Sequence, residues 1–116
     1  MALILNKHIL AAAYNYLANT QPFYKWNLPE ADDVRFVVTR TRHRDGEYLY
    51  YARQHFIYIS SAGHGHTNTL MKTMAHEMIH VHEQHAKACG RGEHSAAFGR
   101  WAEQVCKVHG WDVKSF

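Results

Sequence analysis

Leu70-Met71-Lys72-Thr73-Met74-Ala75-His76-Glu77-Met78-Ile79-His80-Val81 decides how this chain is read. Leu70, Met74, Met78 and Val81 fall at helical spacing, with Met71, Ala75 and Ile79 beside them, so the stretch predicts a helix with a buried side. Within it, His76 and His80 stand four residues apart, which places both imidazoles on one helix face. Two neutral imidazole nitrogens so spaced can take two corners of a tetrahedral zinc site. Glu77, next to the first histidine, can reach a water on the metal's open position and take the proton that the metal has made more acidic. The pattern therefore points to metal-assisted hydrolysis, with a peptide bond as the first candidate substrate. Histidine is abundant, 11 of 116 residues, so five letters alone carry modest weight. The apolar helical frame gives them meaning.

Upstream, Asn6 caps a predicted helix over 7–19 whose apolar face is Ile9, Leu10, Ala13 and Leu17. Residues 20–29 are irregular, broken by Pro22 and Pro29, with Phe23, Tyr24, Trp26 and Leu28 as packing anchors. Strands are expected over 32–41, 48–53 and 55–60, with Asp45-Gly46 as a hairpin turn between the first two. Thr67 or Asn68 caps the motif helix, which should run to about 87. A last helix over 95–109 carries Phe98, Trp101, Val105 and Val108 on one face and stops at Gly110. The order is N-terminal helix, three-stranded sheet, motif helix, C-terminal helix. This is an α+β arrangement in a single domain, 1–116.

Composition narrows the class. Apolar residues at 47% and aromatics at 13% argue for a packed core and against disorder. No stretch approaches the roughly 20 apolar residues that span a bilayer, so no membrane partner is expected. The apolar start, 2–5, is too short for a signal-peptide core. Cys89 and Cys106 form no paired motif and read as free thiols of a reducing cytoplasm. A net charge of +3 and a pI near 9.0 hint at an anionic partner without requiring one.

A hydrolytic zinc takes three protein ligands and keeps one corner open. One zinc-protease pattern needs a glycine and a histidine three and six positions beyond the second motif histidine; Glu83 and Ala86 stand there. His85 points about 140° around the helix from His80, and His82 also turns away; both read as solvated or supporting side chains. Glu93 and Glu103 are the available glutamates on the return segment. His94 is better placed. It follows the Cys89-Gly90-Arg91-Gly92 turn and opens the last helix, four residues before Phe98.

Ala75-His76-Glu77-Met78-Ile79-His80, a gap of 13 residues, then His94-Ser95-Ala96-Ala97-Phe98 resembles the SprT-like metallopeptidase domain. That family shows H-E-x-x-H followed by H-G-x-x-F/W; Ser95 stands here where glycine is usual. Ala12-Tyr14-Tyr16-Leu17, Pro22-Phe23, Leu28-Pro29 and Ile57-Tyr58-Ile59-Ser60 extend the likeness over nearly the whole chain. The resemblance implies a small zincin-like fold. It also implies one zinc per chain held by His76, His80 and His94, with Glu77 as catalytic base, acting on a protein or peptide substrate. Many SprT-like proteins add a cysteine-paired zinc ribbon. Its absence here leads to the expectation of a minimal catalytic domain of bacterial or phage type.

Similar domains in Spartan proteases cleave proteins crosslinked to DNA, which draws attention to Arg40, Arg42 and Arg44. At a hairpin tip these arginines would be alternate residues of an extended strand and could make weak phosphate contacts. His64, His66, Tyr58 and Arg91 are further candidates for stabilising an oxyanion. Two other functions fit the same residues: a zinc-bearing binding or scaffold domain without proteolysis, and a metal hydrolase with a glutamate as third ligand.

Overall fold

The computed structural model describes residues 4–62, 66–86 and 96–116. The first helix, α1 (Lys7–Ala18), begins where Asn6 Oδ1 accepts the Ile9 amide at 2.9 Å, which satisfies one of the open donors of the first turn. Its buried side is Leu10, Ala13, Tyr14 and Leu17. Two short 3-10 turns follow, Phe23–Lys25 and Ala31–Asp33. Tyr14 donates its hydroxyl to Pro29 O at 2.6 Å and so fastens this irregular stretch to α1.

Three strands come next: β1 (Val34–Thr39), β2 (Gly46–Tyr51) and β3 (Gln54–Ser60). The sheet order is β1-β3-β2; β1 runs parallel to β3, and β2 antiparallel to it. The expected hairpin between the first two strands is therefore not formed. The 40–45 segment instead crosses the end of β3. There Ser60 N donates to Asp45 O (2.9 Å), Ser60 Oγ to Thr41 O (2.5 Å) and Ser61 N to Thr39 O (2.8 Å). The hairpin joins β2 to β3 through Ala52 and Arg53, both in the left-handed region at φ 52° and 62°. Two successive left-handed residues turn the chain in the sense that matches strand twist.

Alternation sorts the sheet's two faces. Val34, Ile57 and Ile59 are buried toward the helices, whereas Arg35, Val37, Leu49 and Tyr51 are exposed on the other face. Against the inner face lies α2 (Thr67–Ala86), which carries the H-E-x-x-H motif. Leu70, Met74, Ala75, Met78, Ile79 and Val81 are each at most 1% exposed, so α2 runs through the core. Closing the structure is α3 (Ala96–His109), with Phe98, Ala102, Val105 and Cys106 buried. It ends at Gly110, where φ is 78° and the Gly110 and Trp111 amides both donate to Cys106 O. A final 3-10 turn spans Val113–Ser115. The result is a small α+β fold with a mixed sheet and three α-helices among the described residues. No helix among them is long and apolar enough to cross a membrane.

Candidate metal centre

His76 and His80 project from α2 with ring centroids 5.3 Å apart and ring planes at 65°. Two imidazoles on one tetrahedral zinc, at Zn–N of about 2.0–2.1 Å, hold their centroids about 5 Å apart. The pair therefore has the spacing that a shared ion needs. Phe98, in the first turn of α3, lies over both rings, 5.0 Å from His76 and 4.6 Å from His80. The start of the return helix is thus brought back to the motif.

Each imidazole is oriented through Nδ1. His80 Nδ1 donates to Glu83 Oε1 at 2.8 Å, one turn further along α2, and the Glu83 side chain is only 7% exposed. His76 Nδ1 donates to Phe116 O at 3.0 Å, from the other end of the sequence. Such outer partners fix the tautomer, and in a metal-binding imidazole they would leave Nε2 as the coordinating atom. Neither was foreseen. Glu83 entered the sequence argument only as a residue that broke a glycine pattern.

Glu77 is buried, 4% exposed, where α2 meets the start of β2. Gly46 makes that approach possible. A Cβ on Gly46 would lie 2.8 Å from Thr73 Cγ2, 3.2 Å from Tyr58 O and 3.3 Å from Glu77 Cγ. Two clefts meet at this point. One, about 490 Å³, includes Lys72, His76, Glu77, Ser115 and Phe116 in its walls. The other, about 370 Å³, is lined by Arg44, Gly46, Glu47, Tyr48, Glu77 and His80.

Tyr48 is a site residue that sequence reasoning missed. It faces α2 from β2, with its ring nearly parallel to that of His80 at 6.4 Å. Its hydroxyl is hydrogen-bonded to His55 Nδ1 at 2.6 Å. Burial, helped by the neighbouring His85 charge, holds His55 below the usual imidazole pKa against the opposing pull of Asp33. A neutral His55 accepts the phenolic proton through Nδ1. The missing signal was strand parity: Tyr48 lies opposite Ile57 on the inner face, whereas Tyr58 alternates to the outer face, away from α2. Tyr58 therefore does not serve this site.

The remaining candidates divide. His94, Glu93, His64 and Arg91 lie outside the described residues. Among the described residues no group of three or more metal-ligating side chains is assembled. Glu103 sits on the exposed side of α3. His66 is exposed, and its carbonyl accepts the Leu70 amide at the entry to α2. His85 is exposed and lines a separate cleft with Arg35, Asp33 and His55. His82 is not a solvated residue: its ring stacks on Trp26 at 4.2 Å and meets Trp101 edge-on at 4.4 Å, and burial lowers its pKa. Arg40, Arg42 and Arg44 are exposed in the bent crossover segment, not in an extended row. Arg44 pairs with Glu47 at 3.2 Å beside the clefts.

No protein-family model matches this chain, and no curated protein is significantly similar to it.

Proposed function

We propose that the protein is a zinc-dependent peptidase, with zinc held by His76, His80 and His94 and Glu77 as general base. The observation that carries this reading is the arrangement of the two motif imidazoles. They share one side of α2 at 5.3 Å, each with its Nδ1 engaged by an oxygen acceptor. Isolated surface histidines have no need of such orientation, whereas metal ligands require it. The H-E-x-x-H…H-x-x-x-F pattern of SprT-like metallopeptidases points the same way.

A peptide substrate is favoured by the position of β2. It is an edge strand, and Gly46, Glu47 and Tyr48 line the cleft over Glu77 and His80. Edge backbone groups can pair with an extended chain and lay it across the cleft. Bound zinc would supply Lewis-acid polarisation and a more acidic water. Glu77 would take the proton of the attacking water and return it to the leaving amine. Tyr48 lines the same cleft, with its ring beside that of His80 and its hydroxyl engaged by His55.

The purified protein should carry about one zinc per chain, and Glu77→Gln should keep the metal while abolishing cleavage of an unstructured protein such as casein. Metal analysis and a caseinolytic assay read both results. Wild-type cleavage by the variant would remove Glu77 as base, and metal-free wild-type protein that takes up no zinc would overturn the reading altogether.

A further inference from the structure

Beyond Gly110 the chain folds back along α2, and three side chains of α2 hold it. Asn68 Oδ1 accepts from Trp111 Nε1 at 3.0 Å, Lys72 Nζ donates to Ser115 Oγ at 3.2 Å, and His76 Nδ1 donates to Phe116 O at 3.0 Å. Asn68, Lys72 and His76 are successive i, i+4 positions, so the contacts form one stripe along the helix. The segment has its own internal order. Asp112 Oδ1 accepts the Lys114 amide at 3.0 Å, and Asp112 O accepts both the amide and the hydroxyl of Ser115. Phe116 adds ring contacts, 5.3 Å to His76 and 6.0 Å to Trp111. Ser115 and Phe116 also wall the cleft that contains Glu77.

We infer that the 111–116 segment is the positioning element for the ligand His76, with Phe116 O as the acceptor that fixes its imidazole. The inference rests on the reading of His76 as a zinc ligand and adds the device that orients it. His76 lies one turn before His80 on α2, and the oxygen that turns its ring comes from 40 residues away. The three contacts set where that oxygen lies. Loosening the segment should release the ring to other rotamers and tautomers, so zinc binding weakens while the helical core stays intact. Outer partners of this kind are worth about 10–100-fold in metal affinity.

The test uses two variants of the chain: Asp112→Ala combined with Ser115→Ala, which removes the internal turn and the Lys72 contact, and deletion of Phe116, which removes the acceptor. Phe116→Leu keeps the carbonyl and serves as the conservative control. Zinc affinity is measured by competition with a chromophoric chelator, and ligand geometry by the visible absorption of the cobalt-substituted protein. The melting temperature of metal-free protein reports on the fold. Expected are a roughly 10–100-fold loss of zinc affinity and an altered cobalt spectrum in the first two variants. Phe116→Leu should behave like wild type. Metal-free melting should be nearly unchanged in the Asp112→Ala, Ser115→Ala variant and somewhat lowered by deletion of Phe116, whose ring packs against the core. Wild-type affinity and spectrum in both loosened variants, with zinc still lost in His76→Ala, would overturn this inference and leave the zinc site standing. Wild-type protein that binds no zinc would overturn both.

Discussion

Gly46 and Gly99 invite the same substitution with opposite consequences. At Gly46 a methyl group would enter space held by Thr73 Cγ2 at 2.8 Å and the Tyr58 carbonyl at 3.2 Å. Thr73 is β-branched on a helix, so its methyl can withdraw only by exchange between two χ1 rotamers, and the carbonyl belongs to the sheet. Overpacking of this kind costs about 1–3 kcal/mol. Reduced entropy of the unfolded chain returns about 0.4–1 kcal/mol, so Gly46→Ala should destabilise by a net of about 0.5–2 kcal/mol. Gly99 is exposed in α3, and a Cβ there meets nothing within 4 Å. Removing a helical glycine should stabilise by about 0.5–1 kcal/mol. For a chain of this length each kcal/mol moves the melting temperature by about 4 °C. Gly46→Ala should therefore melt about 2–8 °C lower and Gly99→Ala about 2–4 °C higher. Circular-dichroism melts in the presence of a chelator measure this without the added stability of bound metal. An equal rise in both variants would mean that β2 does not press on α2 at Gly46, and the placement of Glu77 beside that strand would fall with it.

Two further outcomes follow from contacts at and around the site. Glu83→Ala removes a carboxylate acceptor from His80 Nδ1 at 2.8 Å in a poorly solvated position, and should weaken zinc by about 10–100-fold in chelator competition. Glu83→Gln keeps an oxygen acceptor and should lose less; equal losses would show that the acceptor is not what orients His80. In metal-free protein, burial holds His55, His82 and His109 below the ordinary imidazole range, and only in His109 does a backbone contact, to Gln21 O, partly oppose it. The unfolded rings gain protons below about pH 6.5 while the folded rings resist. Stability should thus be fully present above that pH and lost as pH falls through the lowered folded values. Urea titrations from pH 8 to about 5 should show the decline, and His109→Gln should shallow it; a flat profile would refute the burial argument.

The helices were legible in the sequence because their signals are local. Asn6, the apolar stripe around His76 and the Gly110 stop each specify a boundary within a few residues, and the structure follows them closely. Strand positions were legible too, but their pairing was not. Asp45-Gly46 has turn chemistry, yet Gly46 is there for closeness to α2. The residues that do turn the chain, Ala52 and Arg53, have no preference for the left-handed region, so nothing in their identity announces a hairpin. The parallel match of β1 to β3 depends on contacts across some 20 residues, which local periodicity does not encode. The same divide runs through the site. His76, Glu77 and His80 are one turn of helix and could be read directly. Glu83 was within reach, since a carboxylate three positions after a histidine shares its helix face. Tyr48 required the strand register, and Phe116 required the whole fold.

That divide has a physical consequence for how the site is held. Glu77 and His80 are fixed by elements that also make the core: α2 is sealed on its apolar side, and β2 closes on it at Gly46. Disturbing their support must disturb stability, as the Gly46 substitution should show. His76 is different. Its acceptor sits on a short segment whose Asp112 and Ser115 are exposed and which is attached by polar contacts to Asn68 and Lys72 and by the partly buried rings of Trp111 and Phe116. Exposed polar contacts contribute little to the folding free energy, about 1 kcal/mol or less each. The same contacts decide the direction of one imidazole, on which metal affinity depends steeply. On the zinc reading, metal affinity and fold stability should therefore separate at His76 and stay coupled at His80. Under the proposed zinc site, the segment after α3 is a place among the described residues where metal affinity should change while the core remains largely as it is.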